Sequence, residues 1–195
     1  MVRSTASRTR SRWVLAVGVL LFSTELFAVE KAEPCLACHG AGGTSQTPLT
    51  PSLGAQPSFY VVAQLFLFRA GRRDNEVMTA MAKDLSDDDL RSLSAAIEKL
   101  PPPRPPAEKP DEDKVKRGME LMNGRNCNIC HGKRLEGSNN VPRIANQRED
   151  YLLKALKDYR DGKRVGYGNA QMPETVHGLS DAQLGDLAHA LARFR

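Results

Sequence analysis

The sequence has no convincing run of the polar and apolar alternation that marks a half-buried strand, and only the apolar stretch from Phe59 to Phe68 is ambiguous. A sheet-based fold is therefore not expected. The apolar run near the N-terminus, where a spanning helix would be looked for, is too short to cross a bilayer comfortably. The stretch WVLAVGVLLF, Trp13 to Phe22, is ten residues long, about half of the roughly 20 that a spanning helix needs. No adjacent arginines precede it, which removes the export signal used by folded proteins. Cysteine is nearly absent. The four in the chain sit in two copies of one pattern, CLACHG at Cys35 to Gly40 and CNICHG at Cys127 to Gly132.

The basic start (Arg3, Arg8, Arg10, Arg12), the short apolar run and LFA ending at Ala28 follow the order of a secretory signal peptide. Residues 1–28 are assigned to that leader, and the mature chain is expected in the periplasm. An uncleaved membrane anchor is the alternative, because Leu26 is an imperfect residue three before the cut. The leader also explains the net charge of +5. Setting it aside takes four of the 28 Lys and Arg and one of the 23 Asp and Glu, leaving 24 against 22, a balance of +2. That is no footprint for nucleic acid, and no nucleic-acid partner is expected.

The chain of 195 residues suits one ordinary domain or two small ones. The stretch LPPPRPPAEKPDEDK, Leu100 to Lys114, holds six of the twelve prolines, and reads as an extended, semi-rigid spacer. It divides the mature chain into a first domain at 29–100 and a second at 114–195, with the linker at 101–113. The two segments repeat each other. Pro51 to Arg73 lies without a gap on Pro142 to Arg164, with identities at Pro51/Pro142, Gln56/Gln147, Tyr60/Tyr151, Leu65/Leu156, Arg69/Arg160, Gly71/Gly162 and Arg73/Arg164. Downstream, Met78 and Met172 each stand seven residues before Leu-Ser-Asp. Two similar domains are the economical reading.

Helices account for the periodicity. Tyr151, Leu152, Ala155, Leu156 and Tyr159 recur at helical spacing, and Gly162 falls where a helix would end in a left-handed residue. Ser180 with Gln183 forms a capping box ahead of Leu184, Leu187, Ala188 and Leu191, and Ser86 with Asp89 opens a helix running to about Leu100. The expected fold is all-α.

Three chemistries use Cys-x-x-Cys: a closed zinc site, a redox dithiol at a strand-to-helix turn, and covalent haem. In the third, two thiols one helical turn apart add to the two vinyl groups and the adjacent histidine reaches the iron. It alone requires His directly after the second cysteine, and both copies have it at His39 and His131. Each iron then needs a second axial ligand. Met78 and Met172, 39 and 41 residues after those histidines, are the candidates because they occupy equivalent places. Met81 has Thr175 at its counterpart, and Met119 and Met122 read as core. His177 and His189 have no counterparts in the first repeat and read as solvent-facing. The Arg69/Arg160 and Arg73/Arg164 pairs read mostly as exposed charges at helix ends, with a haem propionate as the other use. Pro51 and Pro142, 12 and 11 residues after the histidines, mark where a backbone carbonyl can accept the second ring proton and orient the ligand.

Together these residues resemble the class I cytochromes c, and specifically the two-haem cytochrome c4 family. The resemblance covers residues 33 to 195 and rests on CxxCHG, the Pro to Arg stretch, and Met before Leu-Ser-Asp. It implies two tandem cytochrome c-like haem domains joined by a Pro-rich linker. It also implies two covalently attached haem c groups held by Cys35, Cys38, Cys127 and Cys130, with iron ligated by His39 and Met78 in one domain and by His131 and Met172 in the other. One departure stands out. With cleavage after Ala28, six residues precede Cys35, so the first domain lacks most of the N-terminal helix that KVKRGMELMNGRN, Lys114 to Asn126, supplies to the second.

The function this implies is single-electron transfer between respiratory redox partners, without substrate chemistry. The donor would be a quinol-oxidising complex or a dehydrogenase and the acceptor a terminal oxidase or reductase, with peripheral membrane association as an option. The alternative is the electron-accepting cytochrome subunit of a periplasmic dehydrogenase oxidising a sulfur compound or an alcohol. A peroxidase or gas sensor would need an open sixth position, and a zinc module would be colourless.

Overall fold

The computed structural model describes residues 32–164 and 171–195, and the leader assigned to residues 1–28 lies outside them. In chain order the helices are α1 (32–39), α2 (Ser58–Arg69), α3 (Glu76–Ala82), α4 (Asp87–Glu98), α5 (Glu112–Gly124), α6 (Cys127–His131), α7 (Glu149–Arg160), α8 (Gln171–Val176) and α9 (Asp181–Ala192). Among the described residues the β pairing amounts to a single bridge between Ser138 and Val141. The ambiguous apolar run is helix α2. Local signals punctuate these helices as expected: Ser86 and Ser180 both close full capping boxes, with Asp89 and Gln183 reaching back. Gly71 and Gly162 end α2 and α7 at φ 63° and 70°, a conformation that costs glycine least.

The two repeats build the same arrangement. In the first half α2 packs on α3 and α4; in the second α7 packs on α8 and α9. Val61, Leu67, Phe68, Leu90, Leu93 and Ile97 are buried in the first half. Met122, Leu135, Leu152, Leu156, Leu184, Leu187 and Leu191 join one core in the second. The second half adds α5, which crosses α9 in the most extensive helix pairing. Gly118 permits that approach, since a Cβ there would lie 2.3 Å from the Asp186 carbonyl oxygen and 2.6 Å from the Ala190 methyl. Arg117 fastens the crossing with a two-point contact to Asp186, at 2.7 and 2.9 Å.

The first half has no counterpart to α5 among the described residues; α1 runs straight into the cysteine motif. Its α2 also carries an apolar outer stripe, with Phe59 56% and Phe66 37% exposed beside Val62, Ala63 and Leu90. The matching positions on α7 hold Asp150, Leu153, Lys154 and Lys157.

Two expectations need correction. The proline-rich linker does not act only as a spacer. Leu100 and Pro101 close against the glycines of the first half: a Cβ on Gly43 would come within 2.9 Å of the Leu100 side chain, and one on Gly54 within 2.1 Å of the Pro101 carbonyl oxygen. His189, read as solvent-facing, is buried at 7% exposure. Its Nε2 accepts from the Asp111 N–H at 3.1 Å, so Nδ1 carries the proton and donates to Glu149 at 3.1 Å, while Arg193 holds the other oxygen of that carboxylate. The group ties the start of α5 and the start of α7 to the end of α9. His177 is exposed, as expected.

Gly118→Ala is expected to lower the unfolding free energy of the haem-loaded protein by about 1–3 kcal/mol, the ordinary cost of overpacking. Gly185→Ala, on the helix it meets but with nothing within 4 Å, should raise it by up to about 1 kcal/mol. Guanidinium melts giving the same sign for both would refute the close crossing. For Glu149, burial raises the carboxyl but Arg193 and His189 outweigh it, so its folded value lies below the usual 4.5. A lowered folded value stabilises above the unfolded value and is lost as pH falls through the folded one. Glu149→Gln should cost about 1 kcal/mol at pH 7, discounted for partial exposure. Its gap from wild type should close below pH 4.5, and a gap constant down to acid pH would contradict the tie.

Candidate functional site

Helices α1 and α6 set Cys35 and Cys38, and Cys127 and Cys130, one turn apart and deliver His39 and His131 at the next position. The glycine after each histidine has φ 85°, which turns the chain sharply off the helix. At Gly40 a side chain would lie 1.9 Å from the Thr44 carbonyl oxygen, and at Gly132 it would lie 2.6 Å from the Glu136 carboxylate. Four residues past each histidine, a left-handed residue (Gly43 or Leu135) offers its carbonyl to two successive N–H groups, Leu53 and Gly54 in one half, Ile144 and Ala145 in the other. That fold-back brings the proline carbonyls to the histidines. His39 Nδ1 lies 2.7 Å from the Pro51 oxygen and His131 Nδ1 2.8 Å from the Pro142 oxygen.

These bonds fix the tautomer: Nδ1 donates, and Nε2 keeps its lone pair. Burial pushes both imidazoles below their ordinary range, more than the carbonyl contact raises them. Both rings are therefore neutral at pH 7, the form in which a histidine can bind a metal.

His39, Met78, His131 and Met172 line one continuous cavity that is partly open to solvent, and Cys35 contributes to its wall. Val61, Leu65, Phe68 and Ile97 form its apolar surface in the first half, and Leu152, Leu156 and Leu191 in the second. Met78 is placed by α3, whose N-terminus Asn75 caps by accepting from the Met78 N–H at 2.8 Å. Cys127 is half-buried, and Cys38 and Cys130 are exposed. All four thiols are unpaired, and burial raises the pKa of Cys35 and Cys127. Met81 is 46% exposed and Met122 belongs to the core. Among the described residues no three His, Cys, Asp or Glu side chains gather as a metal site, so the four ligands of closed zinc are not brought together.

The repeated arginines divide into two kinds. Arg69 donates to the Leu85 carbonyl and to Asp87, and Arg160 to the Leu179 carbonyl and to Asp181. They are ties rather than free helix-end charges, and they anchor the turn after each methionine helix. Arg73 and Arg164 instead reach the cavity wall between the halves and cross over. Arg73 donates to Tyr151 at 3.1 Å and Arg164 to Tyr60 at 3.0 Å, and both reach Gln64. Burial works to raise the Tyr151 phenol, but Arg164 and Arg73 outweigh it and lower it to about 8. Arg164 is buried, and among the described residues neither arginine has a carboxylate partner. Two inward guanidiniums on an apolar cavity fit a flat apolar group that carries its own carboxylates, as haem does.

The sequence also left unread a set of contacts between the halves. Gln147 Oε1 accepts from the Ser52 N–H at 2.7 Å and its Nε2 donates to the Ser52 carbonyl at 2.8 Å. Gln56 does the same to Arg143, at 3.1 and 2.9 Å. The identity of the two glutamines was the available signal, but it gave no hint that each acts on the other repeat. One further grip is unpaired by symmetry: Arg148 donates to the Ser45 carbonyl, and Asp150 accepts from the Leu49 N–H.

Residues 115–192 match the family model for cytochrome c. The chain is 33% identical to the thiosulfate dehydrogenase electron acceptor of Thiomonas intermedia, over 93% of this chain and 90% of that protein. It is 33% identical to cytochrome c4 of Thiocapsa roseopersicina, over 80% of this chain and 85% of the relative. Among solved structures it is similar to reduced recombinant cytochrome c4 from Pseudomonas stutzeri, with a TM-score of 0.79 and 26% identity, covering 88% of this chain and 98% of that one.

The two turn glycines should respond unequally. Gly132→Ala is expected to cost about 1–3 kcal/mol for a side chain at φ 85° and ψ 160°, a region essentially reserved for glycine, and no more than that because the clashing Glu136 carboxylate can swing away. Gly40→Ala should cost more, because a backbone carbonyl must move. Equal losses in unfolding midpoint would refute this.

Proposed function

Because the chain belongs to the cytochrome c4 family of class I c-type cytochromes, we propose that it is a dihaem electron carrier, passing single electrons between redox proteins. The observation that carries the reading is the single cavity lined by two histidines and two methionines at repeat-equivalent positions. Two haem c groups are attached covalently, at Cys35 and Cys38 and at Cys127 and Cys130. Each haem, when bound, supplies an iron that holds or releases one electron. His39 and Met78 bind the first, in the domain at 29–100, and His131 and Met172 the second, in the domain at 114–195. The Pro51 and Pro142 carbonyls orient the histidines, the apolar walls exclude water, and Arg73 and Arg164 receive the propionates. A methionine sulfur favours the reduced iron and raises the potential, suiting donation to a terminal oxidase or reductase. The chain is read as non-enzymatic and periplasmic; among the described residues no helix is long and apolar enough to cross a membrane.

A second reading, the electron acceptor of a dehydrogenase oxidising a sulfur compound, draws support from the Thiomonas relative, which aligns over nearly the whole chain. The exposed apolar stripe of α2 favours it further, since a partner held against Phe59 and Phe66 would cover what the second repeat leaves polar.

A pyridine haemochrome assay on the exported protein should give two haems per chain. The weak far-red band of methionine bound to ferric iron should be lost at one site in each of Met78→Ala and Met172→Ala. One haem per chain, or a band indifferent to both substitutions, would overturn the ligand assignment. Stopped-flow mixing with a thiosulfate-oxidising dehydrogenase separates the two readings: fast reduction, slowed by Phe59→Ser and Phe66→Ser, supports the second.

A further inference from the structure

Resting on the reading that His39 and His131 bind haem iron, we propose that Gln56 and Gln147 are positioning residues exchanged between the halves, each tuning the haem of the opposite domain. One peptide group joins each glutamine to a histidine of the other half. The Pro51 carbonyl and the Ser52 N–H belong to the same rigid, conjugated plane. On one side its oxygen meets His39 Nδ1 at 2.7 Å; on the other its N–H donates to Gln147 Oε1, also at 2.7 Å. The plane that orients the ligand of the first half is thus gripped from the second. The counterpart runs the other way: the Pro142 carbonyl meets His131 Nδ1 at 2.8 Å, and the Arg143 N–H donates to Gln56 Oε1 at 3.1 Å.

Each relay has two effects. The first is mechanical. The glutamine amide also donates to the next carbonyl, Ser52 or Arg143, so two points fix the peptide plane and with it the imidazole. The second is electronic. An acceptor on the N–H polarises the conjugated peptide and makes its carbonyl a stronger acceptor, as in any hydrogen-bond chain of low local dielectric. A stronger acceptor on Nδ1–H makes Nε2 a better donor, which favours ferric over ferrous iron. Gln56, Gln147 and Ser52 are 5%, 4% and 2% exposed, so water does not substitute for the amide. The shorter contact at Ser52 makes the relay from Gln147 the stronger of the two.

The test is a potentiometric titration of haem-loaded wild type, Gln147→Leu and Gln56→Leu, with the two sites distinguished by the ferric spectra of Met78→Ala and Met172→Ala. Gln147→Leu should raise the midpoint of the first haem and leave the second in place; Gln56→Leu should raise the second and leave the first. The change should be on the order of 3- to 10-fold in the ferric-to-ferrous ratio at fixed applied potential, at or below what loss of a direct ligand-orienting partner does. Gln147→Glu, titrated at a pH where its acid is protonated and so keeps one acceptor and one donor, should give the wild-type midpoint of the same pH even if the leucine variant is unstable. Both midpoints moving together, a shift confined to the substituted half, or no shift in a protein with two haems and normal axial spectra would overturn the relay. Loss of those axial spectra in wild type would instead refute the ligation reading.

Discussion

Two planar peptide groups, Pro51–Ser52 and Pro142–Arg143, carry the geometry on which the rest of the molecule depends. Each must present its oxygen to a histidine of its own half and its N–H to a glutamine of the other. The left-handed residue four places past the histidine and the glycine directly after it serve to bring that peptide into place. The helices fix the remaining wall of the cavity, and the arginine ties at Leu85 and Leu179 hold the turn after each methionine helix to the end of α2 or α7.

The same plan is executed with unequal means. The second half closes its core with α5 across α9 and locks its corner through Glu149, His189 and Arg193. The first half has no such helix among the described residues and draws support from outside itself: the linker packs on its glycines, and Arg148 and Asp150 grip its loop at Ser45 and Leu49. Their counterparts in the first repeat, Pro57 and Phe59, lack the charge to return the contact. The interface is therefore symmetric at its centre, where glutamines and tyrosines cross, and one-sided at its edge.

Much of this was legible in the sequence because local rules governed it. Capping serines, the terminal glycines at 71 and 162 and the helical period placed the elements, and the repeat singled out Pro51, Pro142, Met78 and Met172 before any coordinates. What escaped notice were partners, since repetition shows that two residues are equivalent without showing what either touches. His189 looked exposed because it stood alone in the alignment of the repeats, yet it is buried because α5 exists in one half only. The linker looked like a spacer because proline content reports stiffness, while its packing depends on glycines some fifty residues upstream.

The crossed glutamines also bear on how the chain could be cut. By composition the boundary falls in the proline-rich segment, and a fragment ending at Lys109 would keep His39, Met78 and Pro51. It would nonetheless lose Gln147, Arg148 and Asp150, leaving the Ser52 N–H and carbonyl without the amide that satisfies them. The unit of sequence repetition and the unit of a finished site are different things here: either half on its own is an incomplete part, and modularity ends where the peptide planes begin.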